Sequence, residues 1–220
     1  VHTYRHLLGD NSAAQQQATR LERKKFSMSL FVAYFGVKKR HTHLAHHDIL
    51  FGPRYKELLD DIFTDNGLAD DFSLYLHAPT LTDPKVAPDG CEAFYVLSPV
   101  PHLGNVPIDW SEEGPRYRDR ILDYLEKRYI PNLNADLETV RIMTPDDFKN
   151  TLNSHLGSAF SLEPILTQSA WFRVHNRDRK IGGLYFAGAG THPGAGVPGV
   201  VNSAKATAGL MIPDLLHGDG

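Results

Sequence analysis

Hydrophobic positions along this chain change period several times, and each change predicts an element. Residues 1–25 are polar and helix-prone, with Gln15, Gln16 and Gln17 beside alanines and then Arg20, Glu22 and Arg23. A short helix, a loop at residues 9–12 and a second helix or extended linker are expected there. Over residues 27–37 nearly both alternating sets are apolar: Met28, Leu30, Val32 and Tyr34 against Ser29, Phe31, Ala33 and Phe35. Such a strand is covered on both faces, one by protein core and the other by core or by a lipophilic ligand. Residues 53–63 predict a helix with Tyr55, Leu58, Leu59 and Ile62 on one face. Residues 72–77 and 93–97 predict strands around a loop that holds a Pro88-Asp89-Gly90 turn. Gly114-Pro115 predicts the start of an amphipathic helix that runs to about Tyr129 and is closed by Pro131. A short strand is expected at 140–143. Thr144-Pro145-Asp146-Asp147 then opens a helix to about His155, with a cap, a first-position proline and acids at the positive end of the dipole. The composite is α+β, a mainly antiparallel sheet with helices, followed by a closing segment of another kind.

In that closing segment, residues 184–187 predict a short buried strand. Residues from 200 onward, with Ala204, Ala206, Ala208 and Leu210, predict a small-residue helix able to pack closely on a sheet. Between them, residues 188–199 hold five glycines and two prolines. Backbone N–H groups in such a loop approach a ligand closely, and the helix start behind it favours an anion. Thr191-His192-Pro193 adds polar groups to a loop otherwise stripped of side chains, and Pro198 holds the helix start in fixed geometry. Both suit a loop that cradles something flat and polar; the plain alternative is a glycine-rich connection with no ligand. Gly194-Ala195-Gly196-Val197-Pro198-Gly199 also satisfies the dinucleotide pattern G-x-G-x-x-G. That fingerprint needs a strand directly before it and a second strand carrying an acid after the helix. Here residues 188–193 intervene, and Asp214 follows Pro213 in a tail without room for a second strand. A self-standing dinucleotide site is not expected.

Composition narrows the classes. A net charge of −3 with interspersed signs gives no field for nucleic acid. The single cysteine, Cys91, has no partner for an intramolecular disulfide, which fits a reducing cytoplasm, and carries no nucleophile signature. No apolar run approaches the roughly 18 residues of a membrane span, so a soluble or peripheral protein is expected. The first residue is Val1, which points to processing or to a longer parent. His41, His43, His46 and His47 follow Lys38, Lys39 and Arg40, but no carboxylate or cysteine completes a ligand set nearby. No metal is assigned; a basic surface turn suited to anionic lipid is expected. Asp60-Asp61 and Glu112-Glu113 read as solvated helix faces.

The stretch from Gly183 through Leu210, with Phe51-Gly-Pro-Arg-Tyr55, Asp71 to Pro79, Pro99-Val-Pro-His-Leu103, Leu166 to Arg173 and His175-Asn-Arg-Asp178, resembles the bacterial phytoene desaturases from end to end. The resemblance implies FAD as cofactor and phytoene, taken towards lycopene, as the lipophilic substrate. It also implies a Rossmann-like FAD-binding domain whose C-terminal strand–loop–helix lies here, and a missing N-terminal half with the nucleotide-gripping motif. Residues 1–25 would close or link the FAD domain, 26–143 would form the substrate domain, and 144–220 a connecting helix and the rest of the FAD domain. Gly188, Ala189, Gly190, Thr191, His192, Pro193, Gly196, Val197, Pro198 and Gly199 would contact the cofactor. Ala189 stands where the wider superfamily usually has an acid, which leaves backbone amides to bind there. Phe31, Ala33, Phe35, Tyr75, Phe94 and Val96 are candidates for an apolar tunnel, or for plain core. No catalytic base is assigned; His192 is favoured for a structural hydrogen bond. Membrane-surface association follows from the substrate. The alternatives are a desaturase or isomerase of another polyene, or a non-catalytic escort protein on the same fold. The isolated segment is expected to hold no FAD by itself.

Overall fold

A computed structural model describes residues 1–64, 68–69 and 71–217. The helices are α1 (Ser12–Glu22), α2 (Tyr55–Phe63), α3 (Trp110–Arg128), α4 (Leu133–Asp136), α5 (Pro145–Leu152) and α6 (Val197–His217). The strands are β1 (Ser29–Val37), β2 (His47–Leu50), β3 (Leu74–His77), β4 (Glu92–Val100) and β5 (Leu137–Met143). The chain divides into two compact units, Val1–Ser27 with Asn153–Gly220, and Met28–Leu152.

The second unit is built on one antiparallel sheet of order β2-β3-β4-β1-β5. Alternation along β4 sends Phe94, Val96 and Val100 to one face, and β1 sends Phe31, Ala33 and Phe35 to the same face by register. Helix α3 covers that face with Trp110, Tyr117, Ile121, Leu122 and Leu125, the spacing of one helical stripe. Phe31 stacks on Trp110 at 5.9 Å and meets the edge of Tyr117 at 5.0 Å. Each such side chain contributes about 1.5–3 kcal/mol by leaving water. Tyr117 OH lies 2.8 Å from Ser98 Oγ, and burial pushes its pKa up to about 12, so the buried hydroxyl stays neutral.

Three local expectations change. Helix α3 starts at Trp110, where Asp109 Oδ1 accepts from Ser111 N at 3.0 Å, and not at Gly114. Gly114 instead marks close packing, since a Cβ there would stand 3.1 Å from Ile142 Cδ1. Helix α5 ends at Leu152, short of His155, because Asn153 takes a left-handed φ of 53°. Its start follows the expected chemistry: Thr144 N and Oγ1 donate to Asp147 Oδ2 at 2.7 and 2.9 Å. The histidine segment is also not wholly a surface turn. His41 is buried, and its N and Nδ1 lie 2.7 and 3.1 Å from Oε2 of the fully buried Glu92. A buried carboxylate needs such partners, and Arg40 Nε adds a longer one at 3.8 Å.

In the first unit a helical turn over Thr3–Leu7 packs on α1. Tyr4, Ala14 and Ala18 form its small core with Leu21, Leu184 and Phe186 around them. Arg5 pins the turn to α1 through Glu22 at 2.6 Å and Gln15 at 2.5 Å. Tyr4 OH donates to Asp178, and burial, followed by that hydrogen bond and the carboxylate charge, raises the Tyr4 pKa. Among the described residues, no helix is long and apolar enough to cross a membrane.

Candidate functional site

The glycine-rich segment belongs to the first unit, and its surroundings depart from the expectation at both ends. Residues 184–187 form no strand of a sheet; one antiparallel bridge joins Tyr185 to Arg177. Phe186 N donates to Asn176 O at 2.8 Å and Asp178 N to Leu184 O at 2.9 Å, a single backbone neighbour where a buried strand needs two. At the other end α6 already begins at Val197, so Val197, Pro198 and Gly199 are its first turn, with Val200 N donating to Gly196 O at 2.9 Å. The helix also runs through Pro213 to His217 instead of giving way to a tail. Asp214 is thereby held against Arg177 and Tyr185, each at 2.6 Å. Hydrogen bonding from Tyr185, then from Arg177, lowers the Asp214 pKa, so this acid is committed to the fold.

Two buried side chains shape the loop itself. Arg173 donates to Ala189 O from Nε at 3.2 Å and from Nη2 at 2.7 Å, and Nη2 also reaches Phe160 O at 3.0 Å. Desolvation lowers its pKa, yet a guanidinium stays charged and places a cation against the loop. Asn176 Nδ2 lies 2.9 Å from His192 O, 3.1 Å from Thr207 Oγ1, and 3.3 Å from both Phe186 O and Ser203 O. One amide thus joins the approach segment, the loop and α6. Ser203, fully buried, accepts Gly188 N at 2.7 Å. Thr191 Oγ1 and His192 N both donate to Val174 O, at 2.6 and 2.9 Å. His192 Nδ1 donates to Ala170 O at 3.0 Å, where Ala170 holds a φ of 47°. Arg173 and Asn176 lie in two of the segments that carry the family resemblance, but only their burial here shows what they do.

The loop backbone needs glycine at defined points. Gly188, Gly194 and Gly196 have φ of 126°, 143° and 90°. A Cβ added at Gly188 or Gly196 would meet nothing within 4 Å, whereas one at Gly199 would stand 2.6 Å from Gly194 O. The first two glycines therefore face open space and the last packs against the loop. Beside the loop lies a cavity of about 210 Å³ lined by Tyr4, Phe26, Leu162, Phe186, Gly190 and Thr191 among others.

The six tunnel candidates do not share one wall. Phe31, Ala33, Phe35, Phe94 and Val96 are buried in the core under α3, while Tyr75 lies on the opposite face of the sheet. Register sends them there: Tyr75 pairs with Leu97, and β4 residues of that parity point away from the core. On that face Tyr75 sits 5.7 Å from Tyr95 and Tyr95 sits 6.0 Å from Tyr34, ring to ring. Burial, then a hydrogen bond to Tyr75, raises Tyr95 to about 12. Of the sequence-read histidines, His43 Nε2 donates to Tyr129 O at 2.8 Å, and His46 and His47 meet His77. Burial, then the neighbouring His46 and His47, lowers the His77 pKa.

Known proteins resemble this chain along nearly its whole length. It is 66% identical over 215 residues to the lycopene-forming phytoene desaturase of Pseudescherichia vulneris, 61% over 216 residues to that of Pantoea ananas, and 62% over 215 residues to that of a Paracoccus species. Each alignment covers 98% of this chain and 43–44% of the relative, so the chain spans less than half the length of these proteins. Residues 6–212 match the sequence family described as flavin containing amine oxidoreductase, and the chain belongs to that family.

Proposed function

We propose that this chain acts within a longer FAD-dependent phytoene desaturase that forms lycopene, supplying the flavin-side loop and the substrate-side sheet. The observation that carries the reading is the loop at 188–199, held rigidly from behind by Arg173, Asn176 and Ser203 while Gly188 and Gly196 leave open space in front. Identities of 61–66% to lycopene-forming relatives support the choice of substrate over other polyenes.

The residues present fit a flavin in their chemistry. Gly188, Ala189, Gly190, Thr191, His192 and Pro193 would hold it along one edge through backbone groups, and Gly196, Val197, Pro198 and Gly199 would set the first turn of α6 beside it. Arg173 adds a buried positive charge behind Ala189, where a bound anion gains from it. The adjoining cavity, about 210 Å³, is below the roughly 300–1,000 Å³ of small-molecule sites, which supports a cofactor shared with an N-terminal part of Rossmann-like form. When bound, the flavin supplies the hydride acceptor that carbon–carbon desaturation requires.

Phytoene offers almost nothing to hydrogen-bond, so its recognition must rest on apolar area and exclusion of water. The sheet face bearing Tyr34, Tyr75, Tyr95 and Leu97 suits that task better than the five core residues, which are already packed on α3. Peripheral contact with a membrane belongs to the same reading, because the substrate partitions into lipid.

A chimera tests it: this chain replaces the matching segment of the Pseudescherichia vulneris enzyme, and the product is supplied with phytoene. Bound flavin and coloured lycopene are expected. A soluble, folded chimera that stays colourless and free of flavin refutes the reading.

A further inference from the structure

Strand register brings His77 to the adjacent pair His46 and His47, 31 residues from His46 in sequence. His46 directly precedes β2, His47 opens it, and His77 closes β3 opposite His47. Directly paired residues of an antiparallel ladder share a face, so His47 and His77 are neighbours by construction. The ring centroids are 4.3 Å (His46–His47), 4.6 Å (His46–His77) and 5.0 Å (His47–His77) apart. One ligating nitrogen from each ring lies within 4.8 Å of the other two.

The hydrogen bonds around the rings orient them. Thr82 Oγ1 lies 2.7 Å from His46 Nδ1 and 3.2 Å from Pro79 O. Held there through Nδ1, His46 turns its Nε2 to His77 Nε2 at 2.7 Å. His77 Nδ1 is buried without a partner among the described residues. His47 is held through Nδ1, 2.6 Å from Tyr75 OH, and stacks on His77 with 11° between the planes. Metal-bound histidines are typically anchored in this way through the nitrogen that does not coordinate.

A hydrogen bond between His46 and His77 accounts for one contact. It does not account for a third imidazole within ligand range, or for a threonine that holds His46 with Nε2 turned inward. We propose that His46, His47 and His77 form a site for a late first-row divalent cation such as Zn(II), with a fourth position open to water. Three imidazoles are a sufficient protein ligand set for such ions. Two nitrogens each about 2.0–2.1 Å from a tetrahedral zinc lie about 3.3 Å apart, so His46 and His77 would part by about 0.6 Å. Rotation of the side chains supplies that much. The proposal is independent of the flavin reading.

Zinc binding to the chelator-stripped full chain, followed by titration calorimetry and by the visible absorption of substituted Co(II), tests it. One equivalent is expected. His77→Gln and His46→Gln should each weaken Zn(II) binding more than tenfold, and Thr82→Val by about tenfold through loss of the anchor on His46. Circular dichroism confirms that each variant is folded, and His46→Gln and Thr82→Val lie outside the strands should His77→Gln disturb the sheet. His2→Gln, which breaks the other close histidine pair (His2 and His6, 4.9 Å apart), should bind as the parent does. The proposal is overturned if the chain takes up no zinc below millimolar concentration. It is overturned equally if the His46 and His77 variants keep parental affinity, or if His2→Gln abolishes binding.

Discussion

Replacing Asn176 with alanine removes the amide that ties the approach segment, the glycine loop and α6 together. Four acceptors surround its nitrogen: His192 O at 2.9 Å, Thr207 Oγ1 at 3.1 Å, and Phe186 O and Ser203 O at 3.3 Å. Two amide hydrogens serve them, so about two good bonds are lost: one worth roughly 1 kcal/mol in net stability, and the one to His192 O, whose loss strands its acceptor. The single hydrogen of Thr207 Oγ1 still serves Phe186 O at 2.5 Å or Ser203 O at 2.8 Å, whereas His192 O is left as the acceptor stranded in a half-buried site. Its desolvation adds about 1–3 kcal/mol, for a total of about 2–4 kcal/mol. Hydrogen exchange read by mass spectrometry localises the loss, because amides report the opening of their own cooperative unit. Peptides covering 174–192 and the start of α6 should exchange roughly 30- to 700-fold faster, at 1.4 kcal/mol per tenfold, while those of β1 and β4 keep their protection. Asn176→Asp keeps the shape but turns a carboxylate oxygen towards carbonyl oxygens, and should be at least as damaging. Unchanged exchange at 174–192, or equal loss in both units, would show that Asn176 does not organise the loop.

Other substitutions separate the remaining forces. Gly199→Ala drives a Cβ to 2.6 Å from Gly194 O, a backbone atom that cannot rotate aside, so thermal denaturation should show a loss of about 1–3 kcal/mol or more. Gly196→Ala meets nothing within 4 Å but must hold a φ of 90°; it should lose about 1–2 kcal/mol, and in the chimera it should lower flavin retention by obstructing the open face. Glu92→Ala leaves the buried His41 N without its acceptor and should cost about 1–3 kcal/mol in urea denaturation of the sheet unit, more than the exposed Glu138→Ala. Leu125→Ala opens a cavity between α3 and the sheet and should cost about 2–5 kcal/mol by the same measurement.

The periodicity of the chain determined much of this protein by local physics. Apolar residues on both faces of 29–37, the stripe from Tyr117 to Leu125, and the Thr144 to Asp147 cap each specify an element whatever lies around them. The glycines of 188–199 also announced themselves, because positive φ and close approach favour that residue alone. What sequence could not decide was which partners distant segments meet. The strand expected at 184–187 has one backbone neighbour and stays an isolated bridge, and Gly114, read as a helix start, is a packing contact with Ile142. Apolar parity alone did not say which face of β1 and β4 meets α3, so five tunnel candidates went to the core and Tyr75 to the other side. Arg173, Asn176 and the meeting of His77 with His46 and His47 are likewise products of folding. Burial and strand register, both nonlocal, turn ordinary residue types into a loop clamp and a histidine cluster.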